Sequence, residues 1–192
     1  MKYNDVLLYK IIRPIVTFFI KLVYRPKIIG VENIKESGRL ILAGNHTNNF
    51  DSLLLISSTK RNIHFLAKIE LFSGMKKILF NNLGLIPVDR KKKKQDDVYK
   101  HSYNYLNNDK VIGIFPEGTI GKNGLLPFKS GVINMAIKTN CEIVPFVITG
   151  NYKLFSNNLK IEFGKPIKIT GNDVKIETER LRNVIIDMIG GK

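Results

Sequence analysis

The pattern of this chain predicts a single α/β domain with a largely parallel, mixed sheet flanked by helices, preceded by an N-terminal amphipathic helical segment. Three observations carry that expectation. Short apolar runs alternate with longer helix-like stretches along the 192 residues, the order expected of parallel strands joined by helices. Several of the runs, Leu40 to Ala43 and Val111 to Phe115 among them, are apolar throughout and read as buried strands. The runs end in loops of Asn, Thr, Pro and Gly, the residues that turn a chain. The length suits one domain with a real core.

In order, residues 1–24 form the helical segment and residues 25–192 the domain. Val6 to Tyr24 is apolar except for Lys10, Arg13, Thr17 and Lys21, spaced three, four and four apart. On a helix these make one polar stripe beside a wide apolar surface, and Pro14 would kink or split it. The longest uncharged run, Pro14 to Ile20, is far below the ~20 residues that cross a bilayer. Such a helix is expected to lie on an anionic membrane surface, with Phe18, Phe19 and Tyr24 in the interface, the alternative being a helix that covers the protein's own core. A secretory signal fits poorly, because charges interrupt the apolar part and no small-residue cleavage site follows.

The strands expected next are Lys27 to Gly30, Leu40 to Gly44, His64 to Ala67, Gly84 to Val88, Val111 to Phe115, Ile143 to Thr149 and Lys160 to Phe163. Helices are expected over Ser52 to Ser58, Leu71 to Asn81, Asp96 to Asn107, Gly131 to Thr139 and Val174 to Ile189. The last is marked by Val174, Leu181, Val184, Ile185 and Met188 on one face.

Lys and Arg total 31 against 16 Asp and Glu, a formal charge of 31 − 16 = +15. An anionic partner follows: nucleic acid, an anionic membrane, a phosphorylated substrate or an acidic carrier protein. The chain shows no recognition helix, RNA-binding aromatic strand or zinc site, so nucleic acid is not expected. Cys141 is the single cysteine, which rules out an intramolecular disulfide or a thiol metal cluster and suits a reducing compartment. It opens an apolar run and reads as a buried, inert thiol.

The loop Asn45-His46-Thr47-Asn48-Asn49-Phe50-Asp51 carries the chemistry. Five residues turn about 500° on a helix, and an odd offset in a strand points side chains to opposite faces. Only a loop can bring His46 to Asp51, and this one follows a strand, where α/β proteins commonly place reacting groups. Asp51 could equally be an ordinary helix N-cap. Three further loops follow strands. Pro116-Glu117-Gly118-Thr119 closes the run from Val111, and Arg90 ends Gly84 to Val88 ahead of Lys91 to Lys94, where a guanidinium fork suits phosphate oxygens. Phe128-Lys129-Ser130-Gly131 opens a helix, and Pro145 interrupts a late strand as an edge or bulge that could shape a groove.

Together these blocks resemble the 1-acylglycerol-3-phosphate acyltransferases, the lysophosphatidic acid acyltransferase family of the glycerolipid acyltransferase superfamily. The family's His-x-x-x-x-Asp block is similar to His46 to Asp51, and its Gly-x-Ile-x-x-x-Arg block to Gly84 to Arg90. Its Phe-Pro-Glu-Gly-Thr block is similar to Phe115 to Thr119, and its Val-Pro-x-x-Ile block to Val144 to Ile148. The likeness spans about residues 40–150. Family members often continue the glutamate block with Arg-Ser, whereas this chain has Thr119-Ile120-Gly121, leaving Lys122 or Lys129 as substitutes for the missing cation.

The resemblance implies transfer of a fatty acyl group from acyl-ACP or acyl-CoA to the sn-2 hydroxyl of lysophosphatidic acid, giving phosphatidic acid, with no cofactor or metal. His46 would be the general base and Asp51 its orienting partner. Arg90, with Lys68 second, would hold the acceptor phosphate. Glu117 and Gly118 would place its glycerol, with Thr119 and Pro145 also at the substrate. The implied location is the cytoplasmic face of the cell membrane, peripheral or monotopic. Glycerol 3-phosphate or another lysolipid is the alternative acceptor, and a non-catalytic basic binding protein the alternative class.

Overall fold

The computed structural model describes residues 7–74, 82–89, 91, 96–121 and 124–191. Their helices are α1 (Leu7–Tyr24), α2 (Asp51–Ser58), α3 (Asp96–Asn107), α4 (Gly131–Thr139) and α5 (Val174–Gly190). Their strands are β1 (Lys27–Ile29), β2 (Leu40–Gly44), β3 (Ile63–Lys68), β4 (Ile86–Val88), β5 (Val111–Ile114), β6 (Ile143–Thr149) and β7 (Lys160–Phe163). The strands form one sheet in the order β1-β7-β6-β2-β5-β3-β4. Every neighbouring pair is parallel except β6 with β7, so β2 to β6 all point their carboxyl ends to one edge.

Side chains on β2 alternate between two apolar layers, as the pleat of a strand dictates. Ile41 and Ala43 join Ile112, Ile143 and Val147 under α3, α4 and α5. Leu40 and Leu42 join Phe65, Val144, Phe146 and Ile161 under α1 and α2. Both faces of the sheet are thus covered, which is why the central strands read as unbroken apolar runs. Cys141 is buried in the first layer, and burial pushes its thiol up to about 12.

Three expectations change. β4 begins at Ile86 rather than Gly84, because Gly84 takes a positive φ and its carbonyl accepts from His64 Nδ1 at 2.9 Å. Of the helix expected over Leu71 to Asn81, Leu71 and Phe72 end a 3₁₀ turn and residues 75–81 lie outside those described. Pro14 does not split α1, which runs from Leu7 to Tyr24 with Pro14 on its exposed side, where water can satisfy the carbonyl left without a donor.

α1 packs one face against the body and leaves another apolar face outward. Tyr9, Val16, Ile20 and Tyr24 pack inward, and the Tyr9 hydroxyl accepts the Ile63 N–H at 3.1 Å. Ile11, Ile15, Phe18, Phe19 and Leu22 point away from the body, with Phe18 61% exposed. Phe50, Leu154 and Phe155 are also exposed, and Phe155 N–H donates to the Val23 carbonyl at 2.7 Å, which joins the β6–β7 connection to the end of α1. Among the described residues, no helix is long and apolar enough to cross a membrane.

Candidate active site

β2 stops at Gly44, where a side chain would strike the ring and carbonyl of Phe146. Asn45 then extends the pairing with its amide: Oδ1 accepts the Ile148 N–H at 2.7 Å and Nδ2 donates to the Ile148 carbonyl at 2.8 Å. That double bond pins the start of the loop to β6. His46 is held next, its N–H donating to Glu117 Oε1 at 2.8 Å and its carbonyl accepting from Gly121 N–H at 3.1 Å. Its ring stacks on Phe115, centroids 4.2 Å apart and planes within 15°. So aimed, Nδ1 lies 2.9 Å from Asp51 Oδ2.

Asp51 is the first residue of α2 and does not cap it, because Phe50 occupies the cap position. The carboxylate turns back into the loop instead. Oδ2 accepts the N–H groups of Thr47 at 2.6 Å and Asn48 at 2.8 Å, while Oδ1 accepts the Tyr152 hydroxyl at 2.6 Å and that of Thr47 at 3.2 Å. A carboxylate with 0% exposure can keep its charge only when donors replace its water, and these do so. Burial, then the neighbouring Asp51 charge, pushes the Tyr152 hydroxyl well above its ordinary range, so it stays a donor.

A cavity of about 480 Å³ opens at this edge of the sheet, with His46, Lys68, Phe115, Gly118, Thr119 and Lys129 among its walls. Its other walls include Phe65, Leu66, Val88, Val98 and Met135, an apolar lining beside a few polar groups. With Nδ1 turned to Asp51, Nε2 is the nitrogen free to take a proton. The His46 side chain is 19% exposed, enough for a substrate to reach it.

The structure gathers only part of the expected site. His46, Lys68, Gly118 and Thr119 line the cavity. Glu117 does not: it is 5% exposed, and its second oxygen, Oε2, accepts the Leu126 N–H at 2.8 Å. The expected contact of Glu117 with substrate glycerol is therefore replaced by a clamp between two turns, both carboxylate oxygens being occupied by backbone N–H groups. Gly118 N–H, a candidate oxyanion donor, is used up by the Phe115 carbonyl at 2.9 Å. Its φ of +72° suits glycine, and an added Cβ would come within 2.7 Å of Lys129 Nζ.

Pro145 is corrected too. It is buried in β6 between β2 and β7 and lines no part of the cavity. Phe146 pairs with Phe163 and Ile143 with Ile167, so three steps on β6 oppose four on its partner. Pro145 sits at that bulge, where its carbonyl accepts from Gly164 N–H at 2.8 Å and its missing N–H leaves no ladder bond broken. Arg90 and Lys122 lie outside the described residues. Of the two lysines considered for the missing cation, Lys129 stands at the cavity wall. Asn45 and Tyr152 escaped the sequence reading. Tyr152 lies 101 residues from Asp51, so no spacing could signal their contact.

Residues 25–149 match the family model described as Acyltransferase, most of the chain and all of this site up to the end of β6. The chain belongs to the acyltransferase family. It is 28% identical over 172 residues to the 1-acyl-sn-glycerol-3-phosphate acyltransferase of Borreliella burgdorferi, covering 84% of this chain and 69% of that protein. It is 33% identical over 129 residues to the enzyme of that name from Helicobacter pylori, covering 64% of this chain but only 53% of that protein. The chain therefore spans about half to two thirds of these relatives. The crystal structure of the 1-acyl-sn-glycerophosphate acyltransferase PlsC from Thermotoga maritima shares its fold, with a TM-score of 0.73 at 19% identity over 92% of this chain and 78% of that one. The family model thus agrees with the acyltransferase resemblance of the four sequence blocks, and the α/β fold is shared with that solved structure.

Proposed function

We propose that this acyltransferase moves a fatty acyl group from a thioester, on acyl carrier protein or coenzyme A, to the sn-2 hydroxyl of 1-acylglycerol 3-phosphate, giving phosphatidic acid. The observation that carries the reading is the 2.9 Å contact of His46 Nδ1 with a buried Asp51, in a histidine that lines a cavity with apolar and cationic walls and whose Nε2 remains for the substrate. Neutral His46 takes the hydroxyl proton at Nε2 as that oxygen attacks the thioester carbonyl. Asp51 holds the tautomer and stabilises the imidazolium. Collapse of the tetrahedral adduct breaks the C–S bond, and the departing thiolate recovers the proton from His46. The nucleophile is the substrate's own alcohol, so no acyl-enzyme forms.

Lys68 and Lys129, both in the cavity wall with His46, would attract the acceptor phosphate, and the sequence offers Arg90 as a further cation for it. The outward face of α1, with Phe50, Leu154 and Phe155, would seat the protein on the membrane that holds the acceptor, and the +15 charge favours an anionic leaflet. The test is free-thiol release from acyl-CoA with and without 1-acylglycerol 3-phosphate, and with glycerol 3-phosphate in its place. Thiol release should depend on the lysolipid and fall by about 10²–10⁴ in His46→Ala, the usual scale for a positioned base. Release independent of the acceptor, or a folded His46→Ala protein of normal activity, would refute the proposal.

A further inference from the structure

Of the groups that touch Asp51, four belong to its own loop: the His46 ring, the Thr47 and Asn48 N–H groups and the Thr47 hydroxyl. The fifth comes from the β6–β7 connection. Tyr152 donates its hydroxyl to Asp51 Oδ1 at 2.6 Å, among the shortest bonds the carboxylate makes. Oδ1 has one other donor, the Thr47 hydroxyl at 3.2 Å, so Tyr152 dominates that oxygen. The tyrosine ring is itself held from two sides, edge-on to Tyr24 of α1 at 5.4 Å and against Phe50 at 6.0 Å. Phe155 N–H, bonded to the Val23 carbonyl, ties the same connection to the last turn of α1.

We propose that Tyr152 is a positioning residue of the reaction, fixing the Asp51 carboxylate and thereby the orientation and proton affinity of His46. The proposal rests on the His46–Asp51 reading and names a residue outside every sequence block that carries the family likeness. The hydroxyl acts by drawing negative charge out of Asp51. A carboxylate that shares its charge with a strong donor stabilises a neighbouring imidazolium less than one without that donor. Other titratable groups face the pair from every side. Glu117 lies under the His46 N–H, Tyr24 lies beyond the Tyr152 ring, and Lys68 and Lys129 stand along the cavity. Among the described residues, only Tyr152 reaches Asp51 from outside the loop.

Tyr152→Phe keeps the ring between Tyr24 and Phe50 and removes one donor. Acyl transfer to 1-acylglycerol 3-phosphate in mixed micelles is measured with the full chain from pH 5 to 9. The variant is expected to lose roughly ten-fold in kcat at neutral pH, the scale of one hydrogen bond to a charged acceptor, with little change in the acceptor KM. The acid limb of its kcat/KM profile is expected to move up by about half to one pH unit, because the less-shared Asp51 charge favours the protonated ring. Tyr24→Leu, which keeps the hydroxyl but loosens the ring, should move the limb the same way by less. Unchanged kcat with an unmoved limb overturns the proposal. So does a loss of kcat with an unmoved limb and a lowered thermal midpoint, since that is a packing effect alone. His46→Ala run in parallel separates the two readings: if it keeps its activity, the dyad itself is wrong, whereas an inactive His46→Ala beside an unaltered Tyr152→Phe removes only the role of Tyr152.

Discussion

The turn after β2 and the turn after β5 each bury a carboxylate at the same edge of the sheet, Asp51 with 0% exposure and Glu117 with 5%. Both are fully hydrogen-bonded, yet they do different work. Four of the donors to Asp51 are backbone N–H groups and hydroxyls, while the fifth is the imidazole of a residue that lines a cavity. Glu117 accepts two backbone N–H groups, one from His46 and one from Leu126, and is not among the walls of that cavity. Burial of a satisfied acid is therefore no mark of chemistry. What separates the two is whether a bonded partner can pass a proton onward.

Exchange of each acid for its amide tests that contrast most strongly. Asp51→Asn presents a neutral group to Nδ1 and favours the wrong tautomer, so kcat is expected to fall by about 10²–10⁴ with the pH profile altered. Glu117→Gln sets an amide N–H₂ against a backbone N–H, which is expected to remove about 1–3 kcal/mol of stability on chemical denaturation. Its turnover should fall less than that of Asp51→Asn, through a displaced His46, and the acid limb should not move. A Glu117→Gln limb that moves as far as the Asp51→Asn limb would erase the distinction.

The two faces of α1 pose the same question in apolar form, and here the expected change in folding stability is smallest. Phe18→Ser with Phe19→Ser should weaken sedimentation with anionic vesicles while leaving the thermal midpoint within a degree or two, since neither ring is buried. Ile20→Ala should instead lower the midpoint, because it empties part of the layer under α1. Equal midpoints for the two variants would mean that α1 has no inward face of consequence.

Much of the architecture was readable locally. The apolar runs marked β2, β5, β6 and β7, the stripe Val174, Leu181, Ile185 marked α5, and the turn residues after β2 and β5 marked the loops. The pairing of His46 with Asp51 was also readable, since five residues in a loop leave few other partners for the ring. The role of Glu117 was not readable. A carboxylate on a turn looks solvated or substrate-facing until the fold delivers the N–H of His46, 71 residues away in the chain. Pro145 looked like a shaper of a groove because its bulge depends on residues 163–167, at and beyond the end of β7.

By itself the sequence determined the elements, the loop that holds the histidine and the acid, and the excess of positive charge, because periodicity, turn chemistry and composition act over a few neighbouring residues or over none. The tertiary structure alone decided that Glu117 clamps the His46 backbone, that Tyr152 closes on Asp51, that Lys129 stands at the cavity, and which side of α1 is left outward. Those outcomes hinge on contacts between segments 70 to 100 residues apart, and a buried acceptor takes whichever donor the packed sheet brings within about 3 Å.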